Sequence, residues 1–387
     1  MLSVSWRRLS QLLVHICCSL LPIGYTCIKH HSSGKHRGLR CLTTLLLSGA
    51  TVLVVTVFCA GSVEEWLLQP PPYSLADMNV SLRRREAAVF DAAMLRPAAH
   101  KYYRVANPRA CADSDVFLLS FVVSKPAHWQ SRYAIRRSWG SVKEVRGRAV
   151  RTLFALGTPE SAQEQEMIGQ ESKRFQDVVQ GLFVDTYLNL TLKTIMVMRW
   201  FTTYCPNAKY LLKVDDDVFM NYYNLIEHLM GLGDGLKDLY LGRVHRNVRV
   251  IRNVSSRYYV SESVYPGGTY PNYCSGTSYV VSGDVAHKVY VAALSVPSLS
   301  IEDVFVGICA KRMGVLPTHS SKMSGGPHFH FSQCCYKSII ASHHITAGEF
   351  LPIWRLVNDG RECSLVSKYT ALFVCKLLHL LDQIRAG

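Results

Sequence analysis

The sequence predicts an α/β domain built on a mostly parallel central sheet. Two observations carry that expectation. From residue 116 onward, apolar runs of strand length alternate with helix-length segments. Three consecutive carboxylates, Asp215, Asp216 and Asp217, also close one of those runs, at the strand end where open sheets of this class bind ligands.

The elements follow in order. Residues 116–123 (VFLLSFVV) read as a short buried strand, 129–139 as a charged helix, and 151–156 as a second strand. Residues 161–175 are polar and helical in character, and 190–204 form an amphipathic helix. That helix leads through Cys205-Pro206-Asn207 into a strand at 210–214 and then the triplet. The boundaries expected are 116–365 for the domain and 366–387 for a C-terminal helical tail. In that tail Leu372, Leu377, Leu378, Leu380 and Leu381 make an apolar stretch suited to packing, or to a partner or membrane contact.

Upstream, residues 41–61 hold no charge and have the length of a bilayer span. Residues 1–40 carry Arg7, Arg8, Lys29, Lys35, Arg37 and Arg40 with no acid, while Glu64-Glu65 follow the span, which places the N-terminus in the cytosol. The reading is a basic cytosolic tail (1–40), a signal anchor (41–61) and a stem (62–115) marked by Pro70-Pro71-Pro72, Pro97 and Pro108. A weaker apolar stretch, 11–28, is broken by His15, Pro22 and Gly24 and leaves a second membrane segment open.

The net charge of +15 on 387 residues does not argue for nucleic acid, because no zinc-finger spacing, RNP-like motif or Lys/Arg-rich helix accompanies it. An anionic substrate and the topology account for it better. Beyond the anchor lie the sequons at Asn79, Asn189 and Asn253. Eight cysteines lie there too: Cys111, Cys205, Cys274, Cys309, Cys334, Cys335, Cys363 and Cys375. Their even number suits an oxidising lumen; their spacing fits no zinc pattern and does not give the pairing.

Four segments carry chemistry. Arg132 and Arg136 share a helix face at four-residue spacing, suited to a diphosphate or to plain solvent exposure. Asp215 and Asp217 suit one divalent cation, which prefers hard oxygen ligands and keeps positions for phosphate; an acidic turn or helix cap is the plainer use. Residues 270–282 (YPNYCSGTSYVVS) can stack a sugar and bring backbone close to it. Glu302-Asp303 precede an apolar helix start, either as an N-cap or as a general base.

Together these blocks resemble the β1,3-glycosyltransferases of family 31, the β1,3-galactosyl- and β1,3-N-acetylglucosaminyltransferases. The resemblance covers roughly residues 116–364 and includes the 132–140 block, Tyr187-Leu-Asn-Leu-Thr-Leu-Lys-Thr194 and Lys213-Val-Asp-Asp-Asp-Val-Phe219. It also takes in the Tyr-Pro…Cys-Ser-Gly-Thr loop and Glu302-Asp-Val-Phe-Val-Gly307. It implies a single GT-A-like domain in a type II Golgi membrane enzyme that inverts the anomeric centre and depends on Mn²⁺.

By the same resemblance Asp215 contacts the donor's ribose or sugar, and Asp217 binds the metal that bridges the UDP phosphates. Asp216, Arg132 and Arg136 belong to the donor-binding set, and Asp215 to the metal set as well. Asp303 is the base, with Glu302 in support. His343 completes the metal shell, with His344 as competitor. The stretches from Cys274 to Tyr290 and from Ile301 to Cys309 look most like the galactosyltransferase branch. They imply UDP-galactose as donor and a terminal N-acetylglucosamine acceptor on glycoprotein or glycolipid, with UDP-N-acetylglucosamine as the alternative donor.

Leu182 departs from the pattern, standing where the family has a small acidic or amide residue, and is expected to affect packing or local charge. Two other classes were weighed. An aspartyl phosphatase wants Thr or Val where Phe219 stands, and a lumenal glycan-binding protein on a transferase scaffold would have no need of intact Asp215, Asp217 and Asp303.

Overall fold

The structure is a computed structural model. It describes Gly49 and residues 102–386 apart from 113, 114, 234 and 327. The expected cytosolic tail, the second apolar stretch, the anchor (Gly49 aside) and the stem up to residue 101 lie outside the described residues. Among the described residues no helix is long and apolar enough to cross a membrane.

The strands are β1 (Tyr103–Val105), β2 (Val116–Val123), β3 (Glu144–Val145), β4 (Arg148–Thr158), β5 (Val178–Val184), β6 (Tyr210–Asp215), β7 (Phe219–Met220), β8 (Tyr240–His245), β9 (Tyr273–Ser282), β10 (Thr318–His319) and β11 (Ala341–Ser342). The helices are α1 (Trp129–Arg136), α2 (Ala162–Phe175), α3 (Leu190–Tyr204), α4 (Tyr222–Gly231), α5 (Gly283–Ala293), α6 (Glu302–Arg312), α7 (Gln333–Tyr336), α8 (Ala347–Val357) and α9 (Leu365–Ala386).

The main sheet runs β1-β5-β4-β2-β6-β9-β8-β10, with β3 paired to β4. Its centre, β5-β4-β2-β6, is parallel. Every residue of β2 is buried, as a strand covered on both faces requires. Leu119, Phe121 and Val123 face one core with α3, α5 and α6; Leu118 and Val122 face the other with α1, α4 and α8. The period of two thus splits one apolar run between two cores.

Strand β9 enters antiparallel beside β6, pairing Val214 with Ser278. The beginning of β9 therefore lies against the carboxyl end of β6, where the aspartates emerge. This reversal builds the site.

One boundary shifts. The stem was expected to reach residue 115, but β1 pairs antiparallel with β5, Tyr103 is buried, and Cys111 is disulfide-bonded to Cys205. A three-residue strand is too short to show a period in sequence. The C-terminal helix, Leu365–Ala386, falls where the helical tail was expected. Ala371 and Leu372 pack on the second core, and Cys375 bonds to Cys335. Cys334 pairs with Cys363, so the adjacent cysteines each find a distant partner, while Cys274 and Cys309 are unpaired and buried. Leu182 is exposed, so it contributes little to packing.

Candidate active site

The triplet splits into three environments. Asp215, last residue of β6, accepts from Lys213 Nζ at 2.6 Å on Oδ1. Asp216 turns the other way, its Oδ2 taking the Ser124 hydroxyl at 2.6 Å and meeting His128 Nδ1 at 2.9 Å. Asp217 faces His343 Nε2 at 3.3 Å and His344 Nδ1 at 3.9 Å. None of the three caps the next helix, whose N-cap is Asn221.

Strand pairing explains why residues so far apart in sequence meet. The two-stranded sheet β7-β11 pairs Phe219 with Ser342, and the Ile345 amide donates to the Asp217 carbonyl at 2.8 Å. His343 and His344 would normally face opposite ways. His344 has φ +58°, a left-handed conformation rare for a residue with a Cβ, and the two rings lie 3.9 Å apart beside one carboxylate. Burial works against the His343 imidazolium, but Asp217 outweighs it and raises the pKa above the ordinary value.

Asp217, His343 and His344 present ligand atoms within 4.8 Å of one another, one carboxylate and two imidazoles that could hold a divalent metal ion. Of the set expected from sequence, Asp217 and His343 are in this cluster and His344 joins them; Asp215, with Oδ1 bonded to Lys213, is not among the three.

Asp303 lies at the second position of α6. The N-cap there is Ile301, so the carboxylate is not a cap. It reaches across to β9, Oδ2 accepting the Gly276 amide at 3.0 Å, while Oδ1 accepts the Val304 amide at 2.9 Å. Gly276 eases this approach: a Cβ there would stand 3.2 Å from Glu302 Oε2 and 3.3 Å from Asp303 Cβ, a tight fit. Burial pushes the Asp303 carboxyl up to about 6, the Glu302 charge adding to it and the two amides opposing. Glu302 is buried and occupied, accepting from Thr194 at 2.9 Å and Tyr279 at 2.8 Å. Its oxygens are engaged by Thr194, Tyr279 and Lys213.

Lys213 joins the two ends. Its ammonium contacts Asp215, the Gly276 carbonyl and, at 3.6 Å, Glu302 Oε2. Burial disfavours its charge, yet the Asp215 and Glu302 carboxylates hold the pKa above the usual lysine range. A second buried lysine, Lys193, ties the Ser124 carbonyl to Asp185. Neither lysine was singled out from sequence, although both stand inside the quoted motifs; a lysine two residues before an aspartate in an apolar strand was the available signal.

Arg132 and Arg136 are not brought to the triplet as phosphate ligands. The five N–H donors of Arg132 are all spent, two on Glu171 as a fork and the others on Ser124, Lys125 and Pro126. Arg136 bonds Asp177 and Glu171 and is sandwiched between the Phe154 and Phe175 rings. The shared helix face is real, but α2 covers it. Arg132 acts on the site only through Ser124, which it holds against Asp216.

Residues 130–321 match the family model described as Galactosyltransferase. The chain is 40% identical over 329 residues to Beta-1,3-galactosyltransferase 9 of Homo sapiens, covering 85% of this chain and 89% of that one. The chain belongs to the galactosyltransferase family, glycosyltransferase family 31.

Other members of the galactosyltransferase family bear different donor names. Lactosylceramide 1,3-N-acetyl-beta-D-glucosaminyltransferase of Homo sapiens is 38% identical over 288 residues, 72% of this chain and 76% of its own. Beta-1,3-galactosyltransferase 4 of Rattus norvegicus is 37% identical over 323 residues, 74% and 87%. Membership makes this chain a glycosyltransferase homologue with a mixed α/β domain of the GT-A kind.

Proposed function

We propose that this glycosyltransferase is an inverting β1,3-galactosyltransferase, moving galactose from UDP-galactose to the 3-hydroxyl of a terminal N-acetylglucosamine on glycoprotein or glycolipid. The observation that carries it is the arrangement around Lys213: an oxygen and nitrogen ligand cluster at Asp217 on one side, one half-buried, basic carboxylate at Asp303 on the other. Inversion by single displacement needs that pattern, a base for the acceptor and no second carboxylate nucleophile.

Asp217, His343 and His344 would hold Mn²⁺. When bound, the ion supplies charge neutralisation to the departing diphosphate. Asp303 takes the proton from the attacking hydroxyl; its two backbone hydrogen bonds leave lone pairs for that proton. Asp215, fixed by Lys213, orients donor hydroxyls, and Asp216, fixed by Ser124 and His128, stiffens the turn between them.

Transfer from UDP-N-acetylglucosamine is the second reading, favoured by the similarity to the lactosylceramide enzyme. The proposal also takes the protein to be a single-pass type II Golgi membrane protein anchored by residues 41–61. A donor-by-acceptor screen with linkage analysis of the product tests the function: a β1,3-linked galactose is expected, and product from UDP-N-acetylglucosamine alone would select the second reading.

A further inference from the structure

A base acts only on a hydroxyl held against it, and a rim of aromatic side chains borders Asp303. Two hydrogen bonds pin the start of α3 to the start of α6. Thr191 Oγ1 donates to the Leu299 carbonyl at 2.6 Å, and Thr194 Oγ1 to Glu302 at 2.9 Å. Tyr187, in the 3-10 turn just before α3, is thereby held beside the Glu302-Asp303 segment with its ring exposed.

The long connection from β8 to β9, residues 246–272, reaches across to that ring. The Arg257 guanidinium lies 5.6 Å from the centre of the Tyr187 ring and 4.6 Å from that of Tyr258, and it donates to the Tyr258 hydroxyl. No acidic side chain pairs with Arg257 among the described residues. The connection is cationic, with Arg246, Arg249, Arg252 and Arg257 against Glu262. Its shape is set internally, because Arg252 spends donors on the carbonyls of Val260, Tyr265 and Gly267.

Tyr187 also lies within electrostatic reach of Asp303: burial is the main cause that raises its pKa, to about 12, and the Asp303 charge is among the causes that follow.

We infer that Tyr187, Tyr258 and Arg257 form the acceptor subsite, and that Arg257 selects acceptors bearing an anionic substituent on or next to the terminal sugar. The accessible tyrosine rings offer apolar faces to the sugar, and the guanidinium pairs with a carboxylate or sulfate. The inference rests on Asp303 being the base.

The test compares acceptors on the full-length protein with UDP-galactose and with UDP-N-acetylglucosamine. The acceptors are a neutral N-acetylglucosamine-terminated disaccharide, the same disaccharide carrying a uronic carboxylate, and the same carrying a sulfate. An acidic acceptor should show kcat/KM about tenfold above its neutral parent, the scale of one charge-assisted hydrogen bond. That ratio should collapse toward one in Arg257→Gln, and Tyr187→Ala should raise the acceptor KM without moving the donor KM. Preference for one anion over the other identifies which substituent is read. Equal use of neutral and acidic acceptors, or a ratio that survives Arg257→Gln, overturns the inference while leaving the transferase assignment standing. No transfer to any acceptor from either donor overturns both.

Discussion

Lys213 Nζ stands 3.6 Å from Glu302 Oε2, an ion pair joining the strand that carries the aspartate triplet to the helix that carries the base. The same ammonium holds Asp215 and the carbonyl of Gly276, whose amide holds Asp303. One buried cation thus ties Asp215 to the strand and helix that hold Asp303.

Lys213→Met should therefore damage stability and activity together. It leaves Asp215 and Glu302 without their cation, and breaking a buried pair costs about 3–5 kcal/mol. Denaturant unfolding of the full-length protein measures this; wild-type stability would show that Lys213 is not the link described.

Arg132→Met separates packing from phosphate binding. Glu171 loses its fork and Ser124 loses a donor, so the melting temperature should fall, while UDP affinity in the folded protein stays near wild type. Normal stability with weakened UDP binding would restore Arg132 as a diphosphate ligand.

Asp217→Ala should abolish transfer, as should EDTA. His343→Ala should raise the Mn²⁺ concentration needed for half-maximal activity by about tenfold or more, since even groups that only support metal ligands cost that much. A Mn²⁺ titration decides it, and an unchanged half-maximal concentration would remove His343 from the metal set.

The pH dependence follows from Asp303, whose carboxyl is pushed up to about 6, mainly by burial. A base must be ionised, so kcat/KM should fall below about pH 6, roughly tenfold per unit once well below it. Stability runs in the opposite direction. A folded-state pKa above the unfolded one favours the folded protein at low pH, and that contribution is gone once the pH rises through about 6. A pH–rate profile flat down to pH 5 would contradict the assignment.

Much of this was legible in the sequence. The α3 span at 190–204 and the strand at 116–123 agree with the structure to the residue, because long, strongly patterned segments leave little choice. Asp217, Asp303 and His343 were named from ordered motifs; the structure sets His343 beside Asp217 at 3.3 Å and ties Asp303 to the Gly276 amide on the other side of Lys213. Arg132 misled because spacing shows which residues share a helix face, not what covers it, and its partner Glu171 lies 39 positions away. Lys213 and Lys193 were passed over because a lysine in a motif looks like surface charge until the fold buries it among carboxylates. His344 needed a left-handed backbone that no sequence pattern announces.

The central claim is that Asp303 takes the acceptor's proton while the Asp217 cluster holds the donor. It is tested most directly by measuring UDP binding and sugar transfer side by side in full-length Asp303→Asn. UDP affinity should match wild type while transfer falls by about 10²–10⁴-fold, the usual worth of a general base. Transfer at the wild-type rate, or loss of UDP binding together with transfer, would contradict it.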